Sequence, residues 1–443
     1  MATTYLQRTN TSGTSTQKGT ISVWIKSGEE PSGNNQTTLA SWSDANNHGA
    51  LLWNGSDKID AFDYQSGYAS QLQTNALLRD CSAWYHIVYS WDTTLATAND
   101  RQKIYINGVE QAYSTRTNYS VNATTSWNAN SYSMRVGALN SSSYFSGLMS
   151  YVAFVDGTQE LPTIFGETDT TTGQWKIKTD ITPSVAWGTN GFLILKNGNS
   201  LTDESTNSNN FTLGGGTLTN TKDCPDNVFC TMNPLDNYYA NSVFSNGNTT
   251  VVTNAGNYTY NTSTIGINVG MKAYWEAKYN TTQSGNGNIG VIDTPSTSTS
   301  AGIYQATNGI SVDDLGKIYK NNSDTGITLG TLSTSDVICF AYDNVNGGLY
   351  VRKNGDAWIN SGVPTSGASK TGIISPTTTG LTMFPAVGDA SGSSAVGSST
   401  NFGNGVFGTT AVASAGTNAS NNGVFEYDVP TGYTALSTKG LNL

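Results

Sequence analysis

Short runs of alternating apolar and polar residues, separated by Gly, Asn and Asp, constrain the fold of this chain more than any other feature. Residues 20–26 (TISVWIK) and 84–92 (WYHIVYSWD) alternate as half-buried strands do, and Asn107-Gly108 is a strong hairpin signal. We find no eleven-residue stretch with apolar side chains at the helical positions i, i+3, i+4 and i+7. The sequence therefore predicts an all-β protein with antiparallel strands.

The strand-like runs fall into two blocks, separated by an irregular segment that contains prolines. A chain of 443 residues suits two or three domains. We expect a first domain over residues 1–218, an irregular linker over 219–236 and a second domain over 237–443. Each domain is predicted to be an antiparallel two-sheet sandwich of the jelly-roll kind.

The charge of the chain excludes some partners. The formal net charge is −10, which repels a phosphate backbone, so we expect no nucleic-acid binding. No run of 18 apolar residues is present, so we expect no membrane insertion. The first 20 residues lack the apolar core of a secretion signal, which predicts synthesis and assembly in a cytoplasm.

The four cysteines are Cys81, Cys224, Cys230 and Cys339. Cys224 and Cys230 are close enough in sequence to close a small loop, whereas the missing secretion signal favours reduced thiols. The sequence leaves the pairing open. A structural zinc site normally needs two close pairs, and only one is present.

Catalytic motifs are weak throughout the sequence, so we expect no enzymatic activity. The GNGNIG stretch at 285–290 has the glycine spacing of a dinucleotide-binding loop, but it continues as a strand instead of opening a helix. Glu426 and Asp428 have the spacing of two carboxylates on one strand face. A glycosidase needs two carboxylates that face one cleft, and this pair lies beside a proline near the C-terminus, which gives that role little support. The two histidines, His48 and His86, are accompanied by no serine elbow (G-x-S-x-G) and no close Cys-His pair, so nucleophilic catalysis has little support.

Aromatic residues among amides and hydroxyls are the best candidates for ligand binding. A flat ring beside Asn or Ser offers apolar stacking with directed hydrogen bonds, as a sugar requires. Such rings are also enriched in protein–protein contacts, and some simply cover sheet edges. The candidates are Trp53, Tyr64, Tyr68, Trp127, Tyr132 and Tyr144.

A calcium ion is the one cofactor that the sequence raises. Asp44, Asn46 and Asn47 in SDANNHG offer the oxygen ligands that calcium prefers. Turn chemistry explains the same residues without a metal. Both interpretations stay open at this stage.

The first block resembles the laminin-G-like, or concanavalin A-like, jelly-roll family. The matching stretches are GTISVWIKSG (19–28), WYHIVYSWD (84–92), KIYINGVE (103–110) and MRVGALNSSSYFSGLMSYVAFVDG (134–157). Their order and spacing fit residues 1–165, and weaker likeness extends to about residue 218. This version looks like the domain found in structural proteins of tailed phages.

The second block resembles the B30.2/SPRY family. The stretches that carry this likeness are AYWEAKYN (273–280), GNIGVID (287–293), DVICFAYDNVNGGLYVRKNGDAW (336–358), MFPAVGD (383–389) and TNFG (400–403). Neither family has an invariant catalytic set, so the resemblance implies a binding scaffold without naming its ligand. The calcium ligands known in some laminin-G domains cannot be matched to positions here.

Together the resemblances imply a virion protein of a tailed phage, assembled in the bacterial cytoplasm and located at the surface of the head or the tail. Its partners would be other virion proteins and further copies of itself. Three roles remain open: a non-enzymatic protein that presents lectin-like loops to host glycans, an architectural capsid-decoration or tail-joint protein, and a glycan-degrading enzyme. The last has the least support because suitable carboxylates are missing.

Overall fold

The computed structural model describes residues 3–28, 33–374, 380–390 and 394–442, and it confirms the predicted all-β fold. The chain divides into two compact units, Met1–Asn220 and Thr221–Leu443. Among the described residues, no helix has the length and apolar character needed to cross a membrane.

The first unit consists of two large antiparallel sheets and one small hairpin. Its short 3-10 helices are Ala98–Asp100, Ser126–Asn128, Pro162–Ile164 and Thr182–Ser184. Its strands are β1 (Tyr5–Thr9), β2 (Lys18–Ser27), β3 (Gln36–Asp44), β4 (Asn47–Trp53), β5 (Ile59–Gln65), β6 (Tyr68–Thr74), β7 (Tyr85–Asp92), β8 (Gln102–Ile106), β9 (Val109–Glu110), β10 (Tyr113–Thr117), β11 (Ser133–Val136), β12 (Gly147–Asp156), β13 (Gly166–Thr168), β14 (Trp175–Ile177), β15 (Phe192–Ile194) and β16 (Thr212–Gly215).

The strands of the first unit form two large sheets that pack face to face. The eight-stranded sheet runs β10-β6-β5-β4-β3-β11-β1-β16, and the six-stranded sheet runs β15-β12-β2-β7-β8-β9. Alternate residues of both sheets, such as Val23 of β2 and Leu51 of β4, meet in one core. This arrangement is the sandwich that the alternating sequence pattern predicts, since each sheet turns its apolar face inward.

The outer face of the six-stranded sheet is largely covered by the chain that follows β12. Phe165, Ile181 and Trp187 pack there against Val88 and Ala153. These apolar side chains bury a sheet face that would otherwise contact water. The outer face of the eight-stranded sheet carries a smaller apolar cluster on β3, β4 and β5.

The second unit is also a two-sheet antiparallel sandwich, with the orders β17-β18-β28-β20-β25-β26 and β19-β27-β21-β22-β23-β24. Its 3-10 helices are Ile303–Gln305, Ile359–Ser361, Pro364–Ser369 and Gly440–Asn442. Its strands are β17 (Val243–Ser245), β18 (Thr250–Val252), β19 (Tyr258–Thr262), β20 (Lys272–Tyr279), β21 (Gly287–Ile292), β22 (Ile310–Asp313), β23 (Lys317–Lys320), β24 (Ser323–Thr328), β25 (Ile338–Asp343), β26 (Gly348–Lys353), β27 (Phe384–Ala390), β28 (Gly397–Asn401), β29 (Val406–Phe407) and β30 (Thr410–Ala411).

The segment 219–236, which the sequence suggested as a linker, lies inside the second unit from Thr221 onward. The Lys222 amide donates to the Asn404 carbonyl at 2.9 Å, and the Cys230 amide donates to the Leu436 carbonyl at 2.9 Å. Phe229 and Cys230 are buried. The segment is irregular but structural, because its apolar side chains contribute to the core of this unit.

Candidate functional site

Four neighbouring strands of the eight-stranded sheet bring aromatic side chains together. Trp42 of β3 pairs with His48 of β4, His48 with Tyr64 of β5, and Tyr64 with Tyr68 of β6. Successive ring centroids lie 5.0, 5.4 and 5.4 Å apart. Direct cross-strand partners share one sheet face. We call these four side chains the aromatic row.

The aromatic row lies on the outer face of the sheet. Ala61 of β5 belongs to the core between the sheets, whereas the next residue, Phe62, belongs to the separate cluster outside it. Successive side chains of a strand point to opposite faces. Tyr64 packs against this outer cluster. The ring of Phe62 also lies 5.6 Å from that of Tyr68, edge to face.

Exposure varies along the row and is greatest at Tyr68. His48 is buried, Trp42 and Tyr64 are half-buried, and Tyr68 is 55% exposed. Burial lowers the pKa of His48 below its ordinary value, so its ring is neutral near pH 7. Its Nδ1–H donates to the Asp44 carbonyl at 3.2 Å, which leaves Nε2 as an acceptor. The row is therefore an uncharged aromatic surface, in which the Tyr68 ring stands edge-on to that of Tyr64.

Directed polar groups lie next to the row on the same face. Gln71 is the cross-strand partner of Phe62, and Gln73 is the partner of Asp60. The side-chain amide of Gln71 donates to Asp60 Oδ2 at 3.1 Å, and that of Gln73 donates to the same oxygen at 3.3 Å. Burial raises the pKa of Asp60. Two amides and a carboxyl group thus border the apolar rings.

The hairpin between β3 and β4 ends the row, and its polar groups are engaged in the turn. Asp44 Oδ1 accepts hydrogen bonds from the Asn46 amide at 2.7 Å and from Asn47 Nδ2 at 3.1 Å. This is an Asx turn. Across the described ranges, no group of three His, Cys, Asp or Glu side chains could hold a metal ion. The hairpin residues fit a turn better than a calcium site, which would need more free carboxylate oxygens.

Two candidate residues from the sequence are withdrawn, because they lie in the core. Trp53 is 4% exposed and Trp127 is 0% exposed. The ring of Trp127 lies 5.6 Å from Tyr89 and 5.7 Å from Trp91. Their polar sequence neighbours suggest a surface position. Burial between the sheets is nevertheless more favourable, because such large rings remove much apolar surface from water.

The other four candidates fall into three places. Tyr64 and Tyr68 belong to the aromatic row. Tyr132 lies near Asp44 at the end of the row, where burial, with a contribution from the Asp44 charge, raises the pKa of its hydroxyl. The half-buried Tyr144 packs 6.3 Å from Tyr5 of β1, in a separate pair of rings.

Sequence reasoning missed Trp42, His48 and the Asp60, Gln71 and Gln73 group. The sequence does contain a signal for the aromatic row. Trp42 and His48 flank the turn of the β3–β4 hairpin, and Tyr64 and Tyr68 flank the turn of the β5–β6 hairpin. Residues placed this way become cross-strand partners. The face on which they lie depends on bulges near both turns, which the sequence did not reveal.

His86 is buried in a structural position beneath the β13–β14 hairpin. The indole N–H of Trp175 donates to His86 Nδ1 at 3.0 Å, so Nε2 carries the proton and donates to Ser22 Oγ at 2.8 Å. The ring stacks on Trp24 with 4.7 Å between centroids. Burial lowers the pKa of His86 to about 3. A histidine held neutral in this way is a poor general base near pH 7.

The GNGNIG loop does not offer its amides to a ligand. The Gly285 and Gly287 amides donate to Asp314 Oδ1 at 2.9 and 2.8 Å, and the Gln283 amide also donates to this carboxylate. A phosphate would need those same donors. Asp314 therefore takes the place that an anion would occupy.

The remaining candidates for chemistry are engaged in local structure. Asp428 Oδ1 accepts from the Thr417 amide at 2.6 Å, and this bond lowers the pKa of its carboxyl group. None of the four cysteines, all of which lie within the described residues, forms a disulfide. Cys224 donates to Asp226 Oδ1 at 2.9 Å, and burial raises the pKa of its thiol to about 12.

The sandwich of the first unit is a jelly roll of the concanavalin A-like type. Residues 1–164 match the family model described as the concanavalin A-like lectin/glucanases superfamily, in agreement with the resemblance noted in the sequence. A comparison with curated proteins found no relative.

Three solved structures illustrate the similarity. Domain 4 of a GH43 arabinanase from Geobacillus stearothermophilus is 19% identical over 32% of this chain and 63% of its own, with a TM-score of 0.25. The SPRY domain of human HERC1 is 15% identical over 34% and 87%, with a TM-score of 0.26. Domains LG4-5 of the mouse laminin α1 chain are 9% identical over 88% and 82%, with a TM-score of 0.29. At these scores no ligand or activity carries over.

Proposed function

We propose that the first unit binds a glycan on the outer face of its eight-stranded sheet, with the aromatic row as the stacking surface. The observation that carries this proposal is the continuous series of rings from Trp42 to Tyr68, bordered by amides. Sugar rings have apolar C–H faces that stack on aromatic rings, while their hydroxyls need directed partners. The row and the Asp60 group offer both kinds of contact side by side.

The dimensions of the row favour an extended ligand. Adjacent strands are about 4.8 Å apart, so four strands place the first and last rings about 14 Å apart. That length suits several sugar units in a chain better than one ring. The more exposed end, at Tyr68, would make the first contact.

We propose binding without hydrolysis. A glycosidase needs two carboxyl groups, one on each side of the scissile bond. Here Asp60 borders the rings and already accepts hydrogen bonds from Gln71 and Gln73. Such a group fixes a sugar hydroxyl more readily than it transfers a proton.

We place this binding activity on the surface of a tailed-phage particle, at the head or the tail. The support is the resemblance of the two blocks, in this order, to domains of phage structural proteins. In this setting the protein is assembled in the host cytoplasm with other virion proteins, in several copies. The aromatic row would then attach the particle to host glycans.

An architectural role is the alternative, and one surface of the second unit favours it. Between residues 235 and 243, Leu235 is 56% exposed, Tyr238 is 89% exposed and Val243 is 66% exposed. Exposed apolar side chains close together are typical of protein contacts. This segment would then dock on a neighbouring virion protein.

Alanine substitutions at the two sites separate these functions. We expect Tyr64→Ala with Tyr68→Ala to weaken binding of the full chain to host polysaccharide by about ten-fold or more, since both stacking rings are lost. Tyr238→Ala is the matched control, because it removes an exposed ring from the other unit. Two quantities should be measured for each variant. The first is binding to immobilised host polysaccharide, and the second is incorporation into particles that lack the protein.

The two readouts decide between the roles. Polysaccharide binding that persists in the Tyr64/Tyr68 double variant would contradict the glycan proposal. Loss of particle incorporation in Tyr238→Ala, with no polysaccharide binding by the wild type, would favour the architectural role.

A further inference from the structure

A cleft of about 220 Å³ opens on the outer face of the six-stranded sheet, where the covering chain is incomplete. Its floor comes from β7 and β8, and its wall comes from the segment after β12. Its lining includes Ser90, Asp100, Lys103, Tyr105, Gln159 and Glu160. We call it the β7–β8 cleft. It lies on a different sheet from the aromatic row.

Ser90 is an unsatisfied polar group at the floor of the cleft. Its side chain is 1% exposed, and Ser90 Oγ has no hydrogen-bond partner among the described residues. Ser90 is the cross-strand partner of Lys103, and Val88 that of Tyr105, so Ser90 points to the same outer face as the other lining residues. Buried hydroxyls in native proteins nearly always have a partner. A ligand in the cleft would supply one.

The charges around the cleft favour a cation. Lys103 Nζ lies 3.4 Å from Asp100 Oδ1 and 3.3 Å from Glu110 Oε2, so its charge is already compensated. In the part of the chain that is described, the carboxyl group of Glu160 has no hydrogen bond or ion pair, and burial raises its pKa. Glu160 is therefore a carboxyl group of the cleft wall without a cationic partner among the described residues. A carboxylate that loses water without a cationic partner is unfavourable.

The neutral groups define the rest of the ligand. The side-chain amide of Gln159 donates to the Asp100 carbonyl at 3.0 Å, which leaves its Oε1 as an acceptor. The Tyr105 hydroxyl and Ser90 Oγ can each donate or accept. A plain alkyl amine would leave these groups unpaired, whereas ring hydroxyls would satisfy them. The volume is below the range of about 300–1,000 Å³ typical of drug-sized ligands, so it suits one small ring.

We propose that the β7–β8 cleft binds a single amino sugar with a free ammonium group. Glu160 accepts hydrogen bonds from the ammonium group, and Ser90, Tyr105 and Gln159 pair with ring hydroxyls. This site goes beyond the proposed function, because it involves another sheet, another chemistry and a ligand of one unit. A terminal amino sugar of a larger glycan satisfies the same contacts.

The ligand side is tested by calorimetric titration of the full chain with D-glucosamine, N-acetyl-D-glucosamine, D-glucose and putrescine. We expect glucosamine to bind about ten-fold more tightly than each of the others, since only it has both the ammonium group and the ring hydroxyls. Equal binding of N-acetylglucosamine or glucose would overturn the role of the ammonium group. Equal binding of putrescine would overturn the claim that the cleft recognises a sugar ring. No binding of glucosamine at about 10 mM would overturn the site.

Variants assign the binding to the cleft. Glu160→Gln should weaken glucosamine binding about ten-fold, while Glu167→Gln, a half-exposed carboxylate beside Lys176 in the same unit, should leave it unchanged. Ser90→Ala should weaken binding without lowering the melting temperature, because the hydroxyl it removes has no partner in the free protein. Unchanged binding in Glu160→Gln would overturn the proposal.

The aromatic-row variants keep the two proposals separate. Tyr64→Ala with Tyr68→Ala should retain glucosamine binding at the cleft. If glucosamine binding is lost in that variant, the amine binds at the row and the cleft proposal fails. If polysaccharide binding alone is lost, both proposals stand.

Discussion

At Glu276 of β20, a carboxyl group is fully buried with four hydrogen-bond donors around it. Oε1 accepts from the Tyr274 hydroxyl at 3.0 Å and the Tyr427 amide at 2.8 Å; Oε2 accepts from Asn401 Nδ2 at 3.2 Å and the Glu426 amide at 2.9 Å. This single side chain connects the sheet to the chain near residue 426. Burial nevertheless dominates and raises the pKa of Glu276 to about 7.

The raised pKa of Glu276 makes the stability of the second unit depend on pH. The folded state holds the proton more tightly than the unfolded chain, so this contribution to stability is complete below the ordinary pKa of about 4.5 and is lost as pH rises to about 7. The shift corresponds to an effect on the order of 3 kcal/mol. We expect urea unfolding between about pH 4.5 and 7.5 to show a smaller loss of stability in Glu276→Gln than in the wild type. Parallel pH profiles would contradict this.

At the scale of elements, local patterns predicted strands well and cross-strand neighbours poorly. The strands β2 and β7 follow from alternation, and Asn107-Gly108 does form the tight turn between β8 and β9, with positive φ at both residues. Trp53 precedes the polar stretch NGSDK, which favours a surface position, yet it ends a buried strand. The aromatic row depends on register across four strands and on two bulges, which no window of sequence contains.

The β13–β14 hairpin acts as a cover for His86, and this gives an element-scale prediction. Trp175→Ala removes the indole that stacks on His86 at 6.0 Å and donates to it at 3.0 Å. Water then reaches the ring, so we expect the pKa of His86 to rise from about 3 toward its ordinary value of about 6.5. Lys176→Ala, on the same hairpin, is the control and should leave it unchanged. NMR titration of the imidazole signals would measure both, and an unmoved pKa in Trp175→Ala would disprove the covering role.

At the scale of the whole molecule, each unit has its own apolar core. Separate cores predict independent folding, because each unit buries enough apolar surface without the other. We expect fragments 1–220 and 221–443, expressed separately, to fold, each with one cooperative thermal transition. Circular dichroism and protease resistance would measure this. A fragment that remains unfolded alone, yet folds when the other is added, would show that the cores depend on each other.

The sequence resemblances predicted two sandwiches. Their order along the chain could be predicted because the strands of each sandwich are contiguous in the sequence. The boundary was harder to predict. Residues 221–236 have no strand pattern, and their place in the second unit depends on partners such as Asn404 and Leu436, about 200 residues away in the chain. Contacts of that range leave no local signature.

Those same contacts have a practical consequence. Phe229 pairs in antiparallel fashion with Ser437, and the Cys230 amide donates to the Leu436 carbonyl, so the entry and exit of the second unit lie side by side. A module whose ends meet can be spliced into a surface loop of an unrelated host protein without spreading the loop apart. The second unit is thus suited to transplantation as a cassette, and its own turns offer sites for relocating the chain ends by circular permutation.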